Sequence, residues 1–222
     1  MKSTDQTNRE SMNKTKAKLR DQIIYFGKLL YEKGLVAGTD GNLSAKTNTG
    51  TILITASGVH KGLLNKKQII ELDINGNRIS GELPASSETK LHMEIYRKVP
   101  SCSAVIHAHA PWSTAASLNN DFIDLNLLAE GKLLFGRIEV VPYQDPGSME
   151  LAELSSEAAT RSRIHILKAH GVVALGQDLL QAFCTVEALE QNIRILGISR
   201  THFPGTLQSQ AGESSPELPD IL

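Results

Sequence analysis

From Lys16 onward, apolar residues recur at three- and four-residue steps. Leu19, Ile23, Phe26 and Leu30 share one face, and Gly34 follows the last of them. That period predicts an amphipathic helix closed by a glycine stop. Residues 1–15 are polar and carry no period, which reads as a mobile tail. Residues 51–55 (TILIT) and 69–74 are short β-rich runs, and an Asn75-Gly76-Asn77 turn closes the second. Ahead of them, 38–41 is a loop of Gly, Thr and Asp.

A second helix is expected to start at Ser86 or Ser87 and run to about Lys98, with Leu91, Ile95 and Val99 inward and Pro100 past its end. Residues 104–108 (AVIHA) form an apolar strand, and Pro111 opens a helix where its missing N–H costs nothing. Strands are expected at 138–142, 164–168 and 172–175, with a helix from Met149 to about Thr160 among them. The last helix runs from Leu179 to about Arg200, with Ala182, Val186, Leu189, Ile193 and Leu196 on its stripe. Residues 204–222 are rich in Ser, Pro and Gly and read as a second mobile tail, leaving 16–203 as a single domain. Strands interleaved with helices predict an α/β fold, a three-layer α/β/α sandwich. Tight turns near Asn75 and Gly171 make its central sheet mixed and mainly antiparallel.

The length of 222 residues suits one domain with a substantial core. Lys plus Arg is 23 and Asp plus Glu is 24, so the formal charge is −1. A nucleic-acid or membrane-surface binder needs a basic excess, and neither partner is expected. No stretch reaches the roughly 18 apolar residues of a membrane span, and the N-terminus has no apolar signal region. Cys102 and Cys184 are too few for a disulfide framework and read as free thiols. A cytoplasmic location is expected.

His107-Ala108-His109 lies in a predicted strand, where residues i and i+2 leave the same face. Their Cα atoms then stand about 6.5–7 Å apart, close enough for two imidazoles to reach one ion at about 2.1 Å. A catalytic metal site with an open position needs a third ligand. His170, beside Gly171 at a strand end, is the best candidate. Taken alone, a His-x-His pair reads equally as core or surface. His92 follows Glu88 by four residues on one helix face and reads as packing, or as orienting a ligand from behind. His60, His165 and His202 read as structural.

Ser86-Ser87-Glu88 sits at a predicted helix start. Two hydroxyls and free N–H groups there form an anion site, or a simple cap. GTDGNLS (38–44) and TASG (55–58) are small-residue loops beside strands, able to cradle a phosphate or to act as plain turns. Neither matches the phosphate-binding or dinucleotide glycine fingerprints.

Five stretches, taken in order, resemble the class II aldolase/adducin family: GTDGNLSAK (38–46), TASGVHKG (55–62), LPASSETKLHMEIYRKVP (83–100), AVIHAHAPWSTA (104–115) and KAHGVVALG (168–176). They span most of 16–200 and leave out the tails and 116–137. The resemblance implies one divalent metal ion per subunit, zinc by preference, on His107, His109 and His170. It implies Glu88 as a metal-ligating carboxylate that becomes the acid/base once substrate displaces it. It implies substrate phosphate-binding at Gly41, Asn42, Ser57, Gly58, Ser86 and Ser87, and a homotetramer with sites at subunit interfaces.

The activity so implied is that of a zinc-dependent aldolase. It would cleave a small ketose 1-phosphate to dihydroxyacetone phosphate and an aldehyde through a metal-stabilised enediolate. The same scaffold carries sugar-phosphate 4-epimerases, a methylthioribulose-phosphate dehydratase and non-catalytic adducin-like modules, which stay open as alternatives. The chain departs from the family's aldolases in 122–136 (FIDLNLLAEGKLLFG), which lacks a tyrosine and offers Glu130 instead.

Overall fold

The structure, a computed structural model, describes residues 4–202. Helix α1 (Thr4–Glu32) buries Ile23, Phe26 and Leu30 along the expected stripe. It begins at Thr4 rather than near residue 16, so residues 4–15, expected as a loose tail, are helical. Once the apolar turns have nucleated a helix, each further residue adds a hydrogen bond at small cost and needs no stripe of its own. The expected C-terminal tail, 204–222, lies outside the described residues.

Strands β1 (Asn42–Lys46), β2 (Ile52–Thr55), β3 (Ile69–Leu72) and β4 (Arg78–Ser80) precede helix α2 (Thr89–Lys98). Then come β5 (Ala104–Ala108), α3 (Pro111–Ser117), β6 (Phe122–Asp124), α4 (Ala129–Leu134) and β7 (Arg137–Val141). The chain closes with α5 (Met149–Ala159), β8 (Ile164–Leu167), β9 (Gly171–Gly176) and α6 (Leu179–His202). Nine strands form one sheet in the order β4-β3-β2-β1-β5-β9-β8-β7-β6. Every pairing is antiparallel except β7 with β8. The expected mixed, mainly antiparallel sheet is what the chain forms.

Two cores flank the sheet. One packs α1, α3 and α6 against it through Ile23, Leu43, Ile106, Val186 and Ile193. The other packs α2 and α5 through Ile54, Leu91, Ile95, Val105 and Leu151. The two-residue alternation of a strand divides β5 between them: Ala104, Ile106 and Ala108 face the α6 side, and Val105 and His107 face the α2 side. No helix among the described residues is long and apolar enough to cross a membrane.

Four short elements were not anticipated. Strand β1 hides in a stretch expected as loop, because Leu43 and Ala45 enter one core while Asn42 and Ser44 turn polar groups to the other side. Strands β4 and β6 and helix α4 are short and largely exposed, with too few apolar positions to show a period. Helix α2 starts at Thr89, with Glu88 at its cap position instead of Ser86 or Ser87. The Ser86 hydroxyl accepts the Glu88 N–H at 3.2 Å, from two residues before the cap position.

Candidate functional site

The site lies where β5 ends, β1 begins and the β8–β9 turn closes. His107 stands opposite Asn42 in one neighbouring strand and Val173 in the other. His109 follows just past the end of β5. His170 sits in the turn before β9. Its neighbour Ala169 is held at φ 57°, and the Ala169 N–H is donated to Ser117 Oγ at 3.0 Å. A side chain at Gly171 would drive its Cβ into the Ala108 carbonyl and bring it within 3.2 Å of the His107 ring. At Gly41 the same atom would fall 2.6 Å from the His107 carbonyl. Both glycines permit close approach to the end of β5.

The three rings form a nearly equilateral triangle. Centroid separations are 4.9 Å for His107–His109, 4.7 Å for His107–His170 and 5.0 Å for His109–His170, with interplanar angles of 67–71°. One nitrogen from each lies within 4.8 Å of the others. Two nitrogens sharing an ion at about 2.1 Å each stand at most about 4.2 Å apart, so the cluster has nearly the size of a coordination sphere.

His107 Nδ1 donates to the Val172 carbonyl at 3.0 Å, and its Nε2 therefore offers a lone pair. That lone pair meets His109 Nε2 at 3.0 Å and Glu88 Oε2 at 3.2 Å. Glu88 Oε1 is buried without a hydrogen-bond partner and lies 3.5 Å from His170 Nε2. Electron-rich atoms pressed together in this way call for a cation among them, and the donor set fits a divalent metal ion.

The titration behaviour agrees. Burial pushes His107, His170 and, to about 4, His109 below the ordinary histidine value, favouring the neutral rings that ligate metals. Burial works against a charge on Glu88, yet His107, His170 and the Asn42 amide bring its carboxyl below the ordinary value. Three neutral rings and the Glu88 carboxylate together make a donor set suited to a cation.

A family description, Class II Aldolase and Adducin N-terminal domain, matches residues 21–196. The chain belongs to the class II aldolase and adducin family. An L-fuculose phosphate aldolase of Methanocaldococcus jannaschii is 40% identical over 177 residues, 79% of this chain and 94% of that protein. A 3-oxo-tetronate 4-phosphate decarboxylase of Haemophilus influenzae is 34% identical over 181 residues, 79% of this chain and 85% of that protein. The crystal structure of L-fuculose-1-phosphate aldolase from Thermus thermophilus matches with a TM-score of 0.74 at 30% identity, covering 83% of this chain and 95% of that one. YgbL of Klebsiella pneumoniae matches with a TM-score of 0.79 at 29% identity, covering 85% and 92%. Class II aldolases use a divalent metal, and among the described residues His107, His109 and His170 form a group that could hold one.

In this class II aldolase-family chain the small-residue loops also converge. An isolated antiparallel bridge between Ala56 and Ala85 ties the two segments together, with the Ser57 N–H donated to the Pro84 carbonyl at 2.9 Å and the Ser86 N–H to the Thr55 carbonyl at 3.2 Å. Ser57, Gly58 and Ser87 are exposed, whereas Ser86 is buried and its hydroxyl is engaged by the Glu88 N–H. Asn42 is buried too. Its amide donates to Glu88 Oε2 at 2.8 Å, and its oxygen is bonded to His92 Nε2. Glu130 stands apart, on α4, which packs against α6 in the opposite layer from Glu88.

His60 accepts the Gly62 N–H in a short 3-10 turn, and His165 is bonded to Ser155 in the α5 layer. His202 is exposed near the end of α6.

Three neighbours of the site were not read from the sequence. Asp40 Oδ2 lies 3.6 Å from His109 Nδ1. Lys61 is buried, donates to the Thr39 and Val59 carbonyls at 2.8 Å each, and so ties the two glycine loops together. Burial pushes its ammonium down to about 8. Ser44 backs His92. The one available signal was polar spacing on β1, where Asn42 and Ser44 leave the same face.

Proposed function

We propose that this chain is a divalent-metal-dependent carbon–carbon lyase that splits a small ketose 1-phosphate into dihydroxyacetone phosphate and an aldehyde. One observation carries the reading: three imidazole nitrogens lie within 4.8 Å of one another beside the buried, unpartnered Glu88 Oε1. His107, His109 and His170 hold the ion, one per subunit, and zinc suits an all-imidazole set. When bound, it supplies a Lewis acid that stabilises the negative charge left on the substrate as the bond breaks. Glu88 holds and returns the proton that cleavage moves.

Ser57, Gly58 and Ser87 receive the phosphate with their exposed groups. The Ala56–Ala85 pairing supports this only as far as it joins the segments that carry them. Gly41 lets its loop close on β5. Asn42 contributes its second amide hydrogen, since Glu88 takes the first. Ser86 acts mainly by fixing the Glu88 backbone. Residues 16–203 act as one catalytic domain, assembled as a cytoplasmic homotetramer.

A second reading has its own support. A relative at 34% identity is named for decarboxylating 3-oxo-tetronate 4-phosphate. Both reactions break a bond beside a carbonyl in a sugar phosphate. Releasing an aldehyde also takes a hydroxyl proton, which falls to Glu88 in the first reading, whereas release of carbon dioxide takes none.

Purified protein should carry about one zinc per chain. Dihydroxyacetone phosphate release from a panel of ketose 1-phosphates, run beside carbon dioxide release from 3-oxo-tetronate 4-phosphate, separates the readings. Turnover indifferent to a chelator would remove the metal from both.

A further inference from the structure

Behind Glu88 and Asn42 runs a buried chain of polar contacts, and the proposed chemistry does not use its far members, His92, Ser44 and Tyr96. Asn42 Nδ2 donates to Glu88 Oε2 at 2.8 Å. Asn42 Oδ1 meets His92 Nε2 at 2.5 Å. His92 Nδ1 meets Ser44 Oγ at 2.6 Å, and Ser44 Oγ meets Tyr96 Oη at 2.8 Å. All five residues are buried.

The chain arises from two matched periods. Glu88, His92 and Tyr96 are spaced four apart along α2 and its cap, so they share one face of the helix. Asn42 and Ser44 are spaced two apart on β1 and share one face of the strand. Four helical residues advance about 6.0 Å and two strand residues about 6.7 Å, so the rows interleave in step.

The direction of every bond follows from one end. A carboxylate has no hydrogen to give, so Asn42 must turn its NH2 to Glu88 and its oxygen away. That oxygen can only accept, so His92 Nε2 carries the proton. A neutral ring has one donor and one acceptor, so Nδ1 accepts from Ser44. The single Ser44 hydrogen is then spent, and Tyr96 must donate to its oxygen. Burial, which keeps His92 neutral by lowering it to about 3 and holds the Tyr96 hydroxyl protonated, agrees with this order. Reversing the chain would face the Asn42 oxygen against Glu88, two acceptors with nothing between them.

We propose that His92 is a positioning residue: backed by Ser44 and Tyr96, it holds Asn42 in the one orientation that pins Glu88 Oε2 beside His107 and leaves Oε1 free towards His170. This rests on the reading of Glu88 as the proton-transfer group. It gives the buried polar face of β1 a purpose, since a buried polar group left unpartnered is destabilising.

The first test is independent of turnover. In metal-free protein labelled with ¹⁵N-histidine, long-range ¹H–¹⁵N correlation reads the tautomer of each ring, with His92 assigned by its loss in His92→Gln. The Nε2–H tautomer is expected, unchanged between about pH 8 and pH 5.5. An Nδ1–H tautomer, or a protonated ring, overturns the proposal. The second test uses Ser44→Ala and Tyr96→Phe in zinc-loaded enzyme. About a tenfold loss in kcat for Ser44→Ala and a smaller loss for Tyr96→Phe are expected, with KM and zinc content unchanged. Unchanged kcat with only a lowered melting temperature would reduce the chain to a structural role and overturn the proposal. Should Ser44→Ala not fold, Tyr96→Phe, which removes only the terminal hydroxyl, carries this arm. Wild-type protein inert towards every sugar phosphate would defeat the proposed reaction, while the tautomer still decides the hydrogen-bond chain.

Discussion

His107 Nδ1 gives its proton to the carbonyl oxygen of Val172, 3.0 Å away on the adjacent strand. The bond fixes the ring's tautomer from behind and turns a bare Nε2 to the site.

A ligand held only by the folded state stabilises it by about 2.7 kcal/mol at a hundredfold excess over its dissociation constant. For a chain of this size that is a rise in melting temperature of about 5–10 °C. Zinc added back to chelator-stripped wild type should produce such a rise, and His170→Ala should show little of it. An equal rise in both proteins, measured by scanning calorimetry, would mean that the ion sits elsewhere.

Glu190 of α6 caps α3 from a distance. Its carboxylate accepts the N–H groups of Trp112 at 2.8 Å and Ser113 at 2.9 Å, and the Ser113 hydroxyl at 2.7 Å. Glu190→Gln turns an acceptor into a donor against those hydrogens and should cost about 1–3 kcal/mol in urea unfolding. A loss below a few tenths would show that α3 is held by packing alone.

Burial holds His165 at about 3, neutral, with Nε2 bonded to Ser155 at 2.7 Å. Between its ordinary value and 3, the unfolded chain binds a proton that the folded chain refuses. Stability therefore falls as pH drops through that window, by up to about 1.4 kcal/mol per pH unit for this ring. His165→Leu should flatten the decline between about pH 6 and 4.5 by about 1 kcal/mol per unit. His92, also held at about 3, should leave a residual slope. Identical slopes in mutant and wild type would show that His165 protonates without unfolding the protein.

The histidine triple was legible because strand alternation and a flanking glycine are local signals. The main helices and central strands were legible for the same reason. Strand β1 was hidden because half of its residues answer to a polar partner, and that partner is brought in from α2, about fifty positions away in the chain. The same distance concealed Ser44 and Tyr96. His92 could be placed on the Glu88 face of its helix, but Asn42, which joins the two, comes from another element. The Asn42 side chain, expected towards substrate, also meets Glu88 and His92 from its place opposite His107.

Nothing local announced Ala169 either. It adopts φ 57°, where a residue with a Cβ pays about 1–2 kcal/mol. Glycine avoids that cost but loses about 0.4–1 kcal/mol through its freer unfolded chain. Ala169→Gly should therefore raise stability by up to about 1 kcal/mol, and Ala169→Val should lower it by more than about 1 kcal/mol. A destabilised glycine variant, by the same urea titration, would show that the turn is not strained.

Gly41 and Gly171 press on the last residues of β5 from opposite sides, with no space for even a methyl group at either place. Heritable variation has no foothold on those two flanks. Selection acting on which molecule is accepted must therefore work at the rim, where Ser57, Gly58 and Ser87 meet solvent. The histidine floor can stay constant while the rim is rewritten.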